Sequence, residues 1–325
     1  MRTAYKLAAS GMALGALVWV LCFAEGGSSQ GAASTPASTA MTIGGMIASV
    51  QGRYRALGIP TPDPGELGRP FRPARLNLPT MMARIGGYWF VVDSYNNRIL
   101  YSDNVDTPIQ QWQLLDGGLS RPHSIAGNGE YLAVDDTEAH SLRVYRREGD
   151  GYRLHQVFID VGARPHRVWY ESSNDRFYLL SANSQELSIY GVGDGGLEQL
   201  RKTQVSAIAG AYTRSFRIID GAIWLFSANG LVSVVNHERE DLPLIAQYRV
   251  PNPLSNLNDM IRVGTTWYLS ATRNHLAECQ LNRDIDRGDF HCVDLQSQVS
   301  YAGNPYLFER QNDSLFLGIV AGRDE

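Results

Sequence analysis

The sequence predicts an all-β protein, because one pattern of short strands and turns recurs along most of its length. The pattern is clearest in two stretches that begin with the same triplet, Arg121-Pro122-His123 and, 43 residues later, Arg164-Pro165-His166. Each triplet opens a short apolar strand, which is followed by a turn, a second strand and a third strand that ends at Tyr145 or Tyr190. Self-similarity at a period of about 40 to 50 residues is typical of propellers and solenoids.

Residues 77–325 contain six such copies, in each of which a strand of aromatic and aliphatic residues closes on a small or acidic residue. The closing residues are Asp93, Asp135, Ser181, Ser227, Ser270 and Gly318. Four short strands with their turns and a crossover consume about 40 to 45 residues. One such sheet cannot bury both of its faces, so the sheets stack around an axis. The spacing therefore predicts a six-bladed β-propeller.

The last copy is incomplete, since it holds only about two strands before the chain stops at Glu325. An open ring would leave sheet edges unpaired, which propeller architectures avoid. We expect residues 66–78 to supply a closing strand, so that the ring mixes N- and C-terminal segments.

The N-terminal quarter of the chain predicts export rather than a second folded domain. In residues 1–24, Arg2 and Lys6 precede an apolar run, the layout of a signal peptide. The run is also long enough for an uncleaved membrane anchor, and both interpretations place the folded part outside the cytoplasm, secreted or periplasmic. Residues 25–43 predict a flexible tether, and residues 44–76 a short helix followed by a Pro- and Arg-rich wrapping segment.

The net charge and the cysteines indicate which binding partners are excluded and which cellular compartment the protein occupies. The net charge of −4 provides no field that would attract nucleic acid or an anionic membrane. Cys22 falls within the export segment, which leaves Cys279 and Cys292 as a pair across a predicted hairpin. We expect them to form a disulfide, as is usual in an oxidising compartment. Two thiolates 13 residues apart lack the paired spacing of a zinc site.

The first copy resembles a known repeat family. Residues 91–99 read VVDSYNNRI, in which Asp93, the pair Asn96-Asn97 and the pair Arg98-Ile99 are similar to the NHL-repeat signature at a strand–turn–strand corner. The Pro-His openings of the second and third copies are similar to NHL-like inner strands. The resemblance implies a propeller. Relatives of this architecture include binding scaffolds, gluconolactonase-like hydrolases, streptogramin lyases and the amidating lyase, so the fold alone does not choose a function.

The first strand of each propeller blade lines the central channel. Aligning the copies therefore shows which residues lie at the same level of the channel. The ring at the channel mouth is formed by Thr80, His123, His166, Arg214, Asn258 and Asn304, with Asp259 beside it. Two imidazoles and a carboxylate can ligate a divalent metal that activates water, and Arg214 can orient an anionic substrate. The alternative is structural: the histidines recur because one blade was duplicated, and they hydrogen-bond the backbone of a neighbouring blade.

An acidic group, Asp135, Asp136 and Glu138, ends the second strand of the second copy. A calcium loop would need alternating oxygen ligands along one segment, and this segment lacks them. We predict a solvated turn here.

Two functions from different classes fit these observations. The first, which we favour, is a non-catalytic binding or scaffolding module that engages a protein or glycan partner at the channel mouth. The second is a metal-dependent hydrolase or lyase acting on a small polar substrate. In that case His123 and His166 would hold a divalent metal in the channel, Asp259 would be a ligand or base, and Arg214 would anchor the substrate.

Overall fold

The computed structural model describes residues 76–282, 289–298, 303–311 and 314–320, together with two strands near the N-terminus. This part of the chain consists of β-strands, turns and three short 3-10 turns at Ser94–Asn96, Ile109–Gln111 and Ser206–Ile208, with no α-helix among the residues that are described. The tether predicted at 25–43 and most of the segment predicted at 44–76 lie outside the described residues. The all-β prediction is confirmed.

Twenty-four strands lie in the described part of the chain. They are β1 (Thr3–Leu7), β2 (Leu17–Cys22), β3 (Pro79–Ile85), β4 (Tyr88–Asp93), β5 (Arg98–Ser102), β6 (Gln113–Asp116), β7 (Ile125–Gly127), β8 (Tyr131–Asp136), β9 (Ser141–Glu148), β10 (Gly151–Ile159), β11 (Pro165–Glu171), β12 (Arg176–Ser181), β13 (Glu186–Gly193), β14 (Gly196–Gln204), β15 (Thr213–Ile219), β16 (Ala222–Ser227), β17 (Leu231–Val235), β18 (Leu244–Arg249), β19 (Leu257–Val263), β20 (Thr266–Ala271), β21 (His275–Asn282), β22 (Asp289–Asp294), β23 (Asn304–Gln311) and β24 (Ser314–Val320).

The strands form antiparallel meanders in which each strand pairs with the next along the chain. Strands β3 to β6, β7 to β10 and β11 to β14 make three four-stranded sheets. Strands β15 to β18 and β19 to β22 make two further meanders, which one parallel pair between Arg249 and Asp289 joins into an eight-stranded sheet. The last sheet has the order β1-β2-β24-β23.

The first strands of successive meanders contact one another in a circle. Strand β3 contacts β7, β7 contacts β11, and the series continues through β15, β19 and β23 until β23 contacts β3. We call these six strands the inner strands. They run side by side around a central channel, and their opening residues lie at one end of it. The channel and its two ends are the parts of the fold that position the candidate sites.

Apolar cores fill the spaces between neighbouring sheets. Phe90 and Tyr145 belong to one such core between β4 and β9, and Trp224 and Trp267 share another between β16 and β20. Every one of these four rings is at most 6% exposed. Both faces of the internal sheets are therefore covered, which explains why the second strand of each copy is an almost continuous apolar run.

The last sheet is completed by a strand other than the one expected. Strand β2 lies parallel to β24, with Leu17 opposite Ser314, in the place that sequence analysis gave to residues 66–78. Of those residues, 66–75 lie outside the described part of the chain, and Leu76 to Leu78 form the approach to β3. An apolar segment suits this place better than a Pro- and Arg-rich one, because proline cannot donate to a strand ladder.

The disulfide prediction is confirmed. Cys279 in β21 lies opposite Cys292 in β22, and their sulfur atoms are bonded at 2.07 Å. Such a bond is typical of a protein from an oxidising compartment. In the described part of the chain no helix has the length and apolarity that crossing a bilayer requires.

The closing junction depends on a glycine at which two backbones approach closely. A Cβ atom on Gly318 of β24 would lie 2.6 Å from the carbonyl oxygen of Thr80 in β3. We expect Gly318→Ala to lower the free energy of unfolding by about 1–3 kcal/mol, because the two strands must separate to accept the methyl group. Chemical denaturation measures this change. Gly117→Ala is the matched control, since a Cβ atom there meets only the Leu114 side chain at 3.5 Å. Equal stability of the two variants would contradict this description of the junction.

Candidate functional site at one end of the channel

Polar side chains at the start of the inner strands bind the backbone of the next inner strand around the circle. These hydrogen bonds are Thr80 Oγ1 to His123 O (2.8 Å), His166 Nδ1 to Arg214 O (2.9 Å), Arg214 Nη1 to Leu257 O (3.1 Å) and Asn258 Nδ2 to Pro305 O (2.8 Å). Four of the six predicted ring residues thus donate to the following strand. Asn304 instead accepts from the Asn274 amide at 2.9 Å.

His123 and His166 form the centre of this end of the channel. Their rings stack with centroids 4.1 Å apart and an interplanar angle of 27°. His166 is 1% exposed and His123 is 8% exposed. The two Arg-Pro-His triplets therefore bring their imidazoles into direct contact, although 43 residues separate them in the chain.

Hydrogen bonds fix the protonation of the His166 ring. The carbonyl oxygen of Arg214 can only accept, so Nδ1 of His166 carries the hydrogen of this bond. The hydroxyl of Tyr306 lies 3.0 Å from Nε2 of the same ring and donates to it. His166 is consequently a neutral imidazole with both of its nitrogens occupied.

His123 is oriented by a different chain of groups. Its Nδ1 lies 2.8 Å from Thr137 Oγ1, and that oxygen lies 2.7 Å from both Asp135 Oδ2 and Pro165 O. Because an ionised carboxylate and a carbonyl only accept, the Thr137 hydroxyl donates to one of them and accepts the Nδ1 hydrogen of His123. With its hydrogen on Nδ1, the His123 ring leaves Nε2 as an unprotonated acceptor.

Burial and nearby cations hold both imidazoles in the neutral form. Burial lowers the pKa of His123 to about 3, and the positive charges of Arg164, Arg214 and Arg121 lower it further, against a hydrogen bond with the Arg121 backbone that raises it. Burial lowers the pKa of His166 well below its ordinary value, and His123 and Arg214 act in the same direction. In contrast, burial raises the pKa of Asp135 to about 6, against hydrogen bonds from Ser124 and Thr137.

Three arginines surround the histidine pair and are partly exposed. Arg164 forms an ion pair with Glu138 at 3.0 Å, and Arg121 approaches the same carboxylate at 4.0 Å. Arg214 lies over the ring of Tyr212 at 4.9 Å. Arg164 and Arg121 share the single carboxylate of Glu138. Positive charge is therefore in excess at this end of the channel, which suits a small anion.

Asp259 does not join the two histidines, which corrects the expected set of metal ligands. Its carboxylate accepts hydrogen bonds from Ser215 Oγ (2.6 Å), Arg217 Nη2 (2.6 Å) and the Phe308 amide (2.9 Å). Both nitrogens of His166 are also occupied. Within the described residues, no group of three or more His, Cys, Asp or Glu side chains is arranged to hold a metal ion.

Several residues of this site were not singled out from the sequence. Tyr306 comes from the incomplete last copy, which carries no motif, and Thr137 follows a strand in an ordinary turn sequence. The turn that contains Asp135 and Asp136 was expected to be solvated, but both carboxylates are fully buried. One feature of the sequence could have indicated this burial: Asp135 stands at the end of an apolar strand. A carboxylate in such a place is buried when hydrogen bonds satisfy its oxygens.

Comparisons with known proteins inform the fold. No protein-family model matches the chain, and no curated protein matches it significantly. Among solved structures, a protein from Bacteroides uniformis provisionally assigned as a 6-phosphogluconolactonase is 13% identical with a TM-score of 0.55, covering 76% of this chain and 78% of its own. A similarly assigned protein from Bacteroides fragilis is 12% identical with a TM-score of 0.52, covering 75% and 78%. Hydrazine synthase from Kuenenia stuttgartiensis is 15% identical with a TM-score of 0.57, covering 78% and 76%.

The fold is of the propeller type. At these identities the similarity carries no activity to this chain, and hydrazine synthase shows how different the activities on this fold are. The resemblance of residues 91–99 to an NHL repeat stays a prediction.

The protonation states of the site have a measurable consequence for stability. The unfolded chain binds a proton at His123 near pH 6.5, whereas the folded protein does so only near pH 3. Between these values the unfolded state binds more protons, so this residue makes the free energy of unfolding fall as the pH falls. Asp135 acts in the opposite direction, because its folded pKa is raised.

We expect the stability difference between pH 7 and pH 4.5 to be smaller in His123→Gln than in the native sequence. The variant keeps an amide near Thr137 but loses the titrating ring, while Asp135 contributes to both proteins. Urea denaturation at the two pH values measures the difference. An identical pH dependence of the two proteins would contradict the assignment of a neutral, buried His123.

Proposed function

We propose that the chain is an exported six-bladed propeller, one blade for each inner strand, that hydrolyses a small anionic ester or lactone at the histidine end of its channel. One observation carries the proposal: Nδ1 of His123 lies 2.8 Å from Thr137 Oγ1, which orients the ring and leaves Nε2 as the candidate base. A base oriented by a third group is the arrangement that general-base catalysis needs. The provisional lactonase assignments of two structural neighbours agree with this substrate class.

In the proposed reaction, Nε2 of His123 takes a proton from a water molecule as its oxygen attacks the carbonyl carbon of the substrate. The tetrahedral intermediate then collapses, the bond between carbon and the ring oxygen breaks, and the imidazolium returns the proton to the departing oxygen. Arg164 and Arg214 bind the anionic group of the substrate and stabilise the negative charge that develops on the carbonyl oxygen. His166 supports the base by stacking against it.

The low pKa of His123 does not conflict with this role. Part of the lowering comes from the positive charges of Arg164, Arg214 and Arg121. A substrate anion bound among these cations cancels much of their field, which raises the basicity of the imidazole when the site is occupied. Asp259 pairs with Arg217 and so does not complete a metal site with the two histidines. The proposed reaction therefore uses His123 as the base and does not use a metal-bound water molecule.

The test is hydrolysis of glucono-δ-lactone and of its 6-phosphorylated form by the purified protein. We expect His123→Gln to lower kcat at least 100-fold, as is usual when a general base is removed. Arg164→Gln is expected to raise KM for the phosphorylated lactone more than for the neutral one. His155→Gln is the matched control, because His155 lies on β10, away from the histidine pair, and contacts the Gly195 carbonyl and the ring of Tyr131. Full activity of His123→Gln, or no hydrolysis of either lactone by the native protein, would contradict the proposal.

The second candidate is the binding module that engages a protein or glycan partner at the same end of the channel. The hydrogen bond from His166 to the Arg214 backbone suits it, because this bond holds two inner strands together whether or not the site is catalytic. If neither lactone is hydrolysed and neither binds, the binding module becomes the better account of this surface.

A further inference from the structure

One carboxylate, that of Glu138, lies between two arginines at the histidine end of the channel. Its Oε1 atom is 3.0 Å from Nη2 of Arg164 and 4.0 Å from Nη1 of Arg121. All three side chains are about one third exposed, at 33%, 35% and 38% for Glu138, Arg164 and Arg121. A ligand that arrives from solvent can therefore reach the two guanidinium groups and the carboxylate between them.

The same local arrangement holds both arginines. Arg121 and Arg164 each precede a proline and have left-handed φ angles of 52° and 55°. The amide of Arg121 donates to Asn97 Oδ1 at 3.0 Å, and that of Arg164 donates to His140 Nδ1 at 3.2 Å. Asn97 and His140 end the equivalent turns of two successive meanders. The two guanidinium groups therefore start from equivalent backbone positions and approach the same carboxylate.

The turn that carries Glu138 is fixed, whereas the end of its side chain is accessible. The Glu138 amide donates to the Ser120 carbonyl at 3.1 Å, and the next residue, Ala139, is 0% exposed. The carboxylate can therefore leave the arginines by rotation of its side chain alone. The equivalent turn positions of the neighbouring meanders are Tyr95 and Asn183, so Glu138 is the acidic residue among these three.

The contact between Glu138 and the arginines is easily replaced. Water screens ion pairs that are this exposed, so they contribute little to stability. The contact also leaves a donor unused, because the Nε atom of Arg164 is buried without a hydrogen-bond partner among the described residues. A phosphate group carries a charge of about −1.5 to −2 at pH 7 and three acceptor oxygens. It can bond both guanidinium groups at once, which the Glu138 oxygen at 3.0 Å and 4.0 Å does not.

We propose that the phosphate group of a small substrate binds between Arg121 and Arg164, and that Glu138 occupies this position while the site is empty. The carboxylate rotates away when the phosphate group arrives, so Glu138 lowers the affinity of the site for every anion. This inference rests on the proposed function, because it concerns the anionic group of the same substrate. It adds Arg121 to the residues that bind this group and makes Glu138 the residue that sets the affinity.

The experiment is isothermal titration calorimetry of the full chain with inorganic phosphate at low ionic strength. We expect Glu138→Gln to bind phosphate at least fivefold more tightly than the native protein, because the variant removes both a competitor and a repelling charge. Glu138→Ala is expected to change the affinity in the same direction. Glu130→Gln is the matched control, since it removes a carboxylate that pairs with Arg146 at 3.2 Å on another surface. It is expected to keep the native affinity.

A double variant separates competition from a general effect of charge. Arg164→Gln alone is expected to weaken phosphate binding at least fivefold. Glu138→Gln in the Arg164→Gln protein is expected to give little or no gain, because the carboxylate then has no close ion pair to vacate. A general effect of charge would instead give the same gain in both proteins.

The proposal is overturned if the Glu138 variants bind phosphate no better than the native protein, or if Glu130→Gln gives an equal gain. It is also overturned if the gain persists in full without Arg164. Glucose 6-phosphate distinguishes a substrate from free phosphate: it is expected to bind more tightly than inorganic phosphate, and equal affinities would contradict the assignment to a substrate group. None of these titrations needs turnover. Expected affinities without lactone hydrolysis would overturn only the proposed hydrolysis, and hydrolysis without the expected affinities would overturn only the role of Glu138.

Discussion

The circle of inner strands depends on hydrogen bonds that cross from each strand to the next. An inner strand forms the edge of its sheet, so one side of its backbone has no ladder partner. Polar side chains of the preceding meander satisfy the carbonyls at the start of the strand, as Thr80 does for His123 and Asn258 does for Pro305. Buried carbonyls left without such partners would each cost about 1–3 kcal/mol. The polar ring at the channel end is therefore required by the architecture before any function is considered.

The same hydrogen bonds prepare the histidine pair for chemistry. The bond from His166 to the Arg214 carbonyl links two inner strands, and it also fixes which nitrogen of His166 carries a hydrogen. Thr137 accepts the Nδ1 hydrogen of His123 and so orients that ring. Structural and catalytic interpretations of these residues are not exclusive, because a bond that holds the circle together also holds a base in one orientation. A rigid supporting shell of this kind is what precise sites need.

Much of the fold could be predicted from sequence, and less of the site. The period of the copies predicted the strands and the position of Gly318, since strand patterning is a local property, and the number and spacing of the cysteines predicted the disulfide. Pairing between distant segments is not local, so β2 at the closing edge was missed. Asp259 was expected to lie beside His123, because the two residues occupy neighbouring positions when the copies are aligned. Such an alignment does not show which side chains pair, and the structure pairs Asp259 with Arg217. Tyr306 was missed because it belongs to a copy without a motif.

The most direct test is to measure which nitrogen of His166 carries a hydrogen. The hydrogen bond from this ring to the Arg214 carbonyl both links two inner strands and belongs to the candidate site. Long-range ¹H–¹⁵N correlation spectra of histidine-labelled protein at pH 7 distinguish the two neutral forms of imidazole from imidazolium. We expect His166 to carry its hydrogen on Nδ1 and to leave Nε2 unprotonated, in agreement with donation to the Arg214 carbonyl. A neutral ring with its hydrogen on Nε2 would contradict the link between β11 and β15, and a charged ring would contradict the environment proposed for His123.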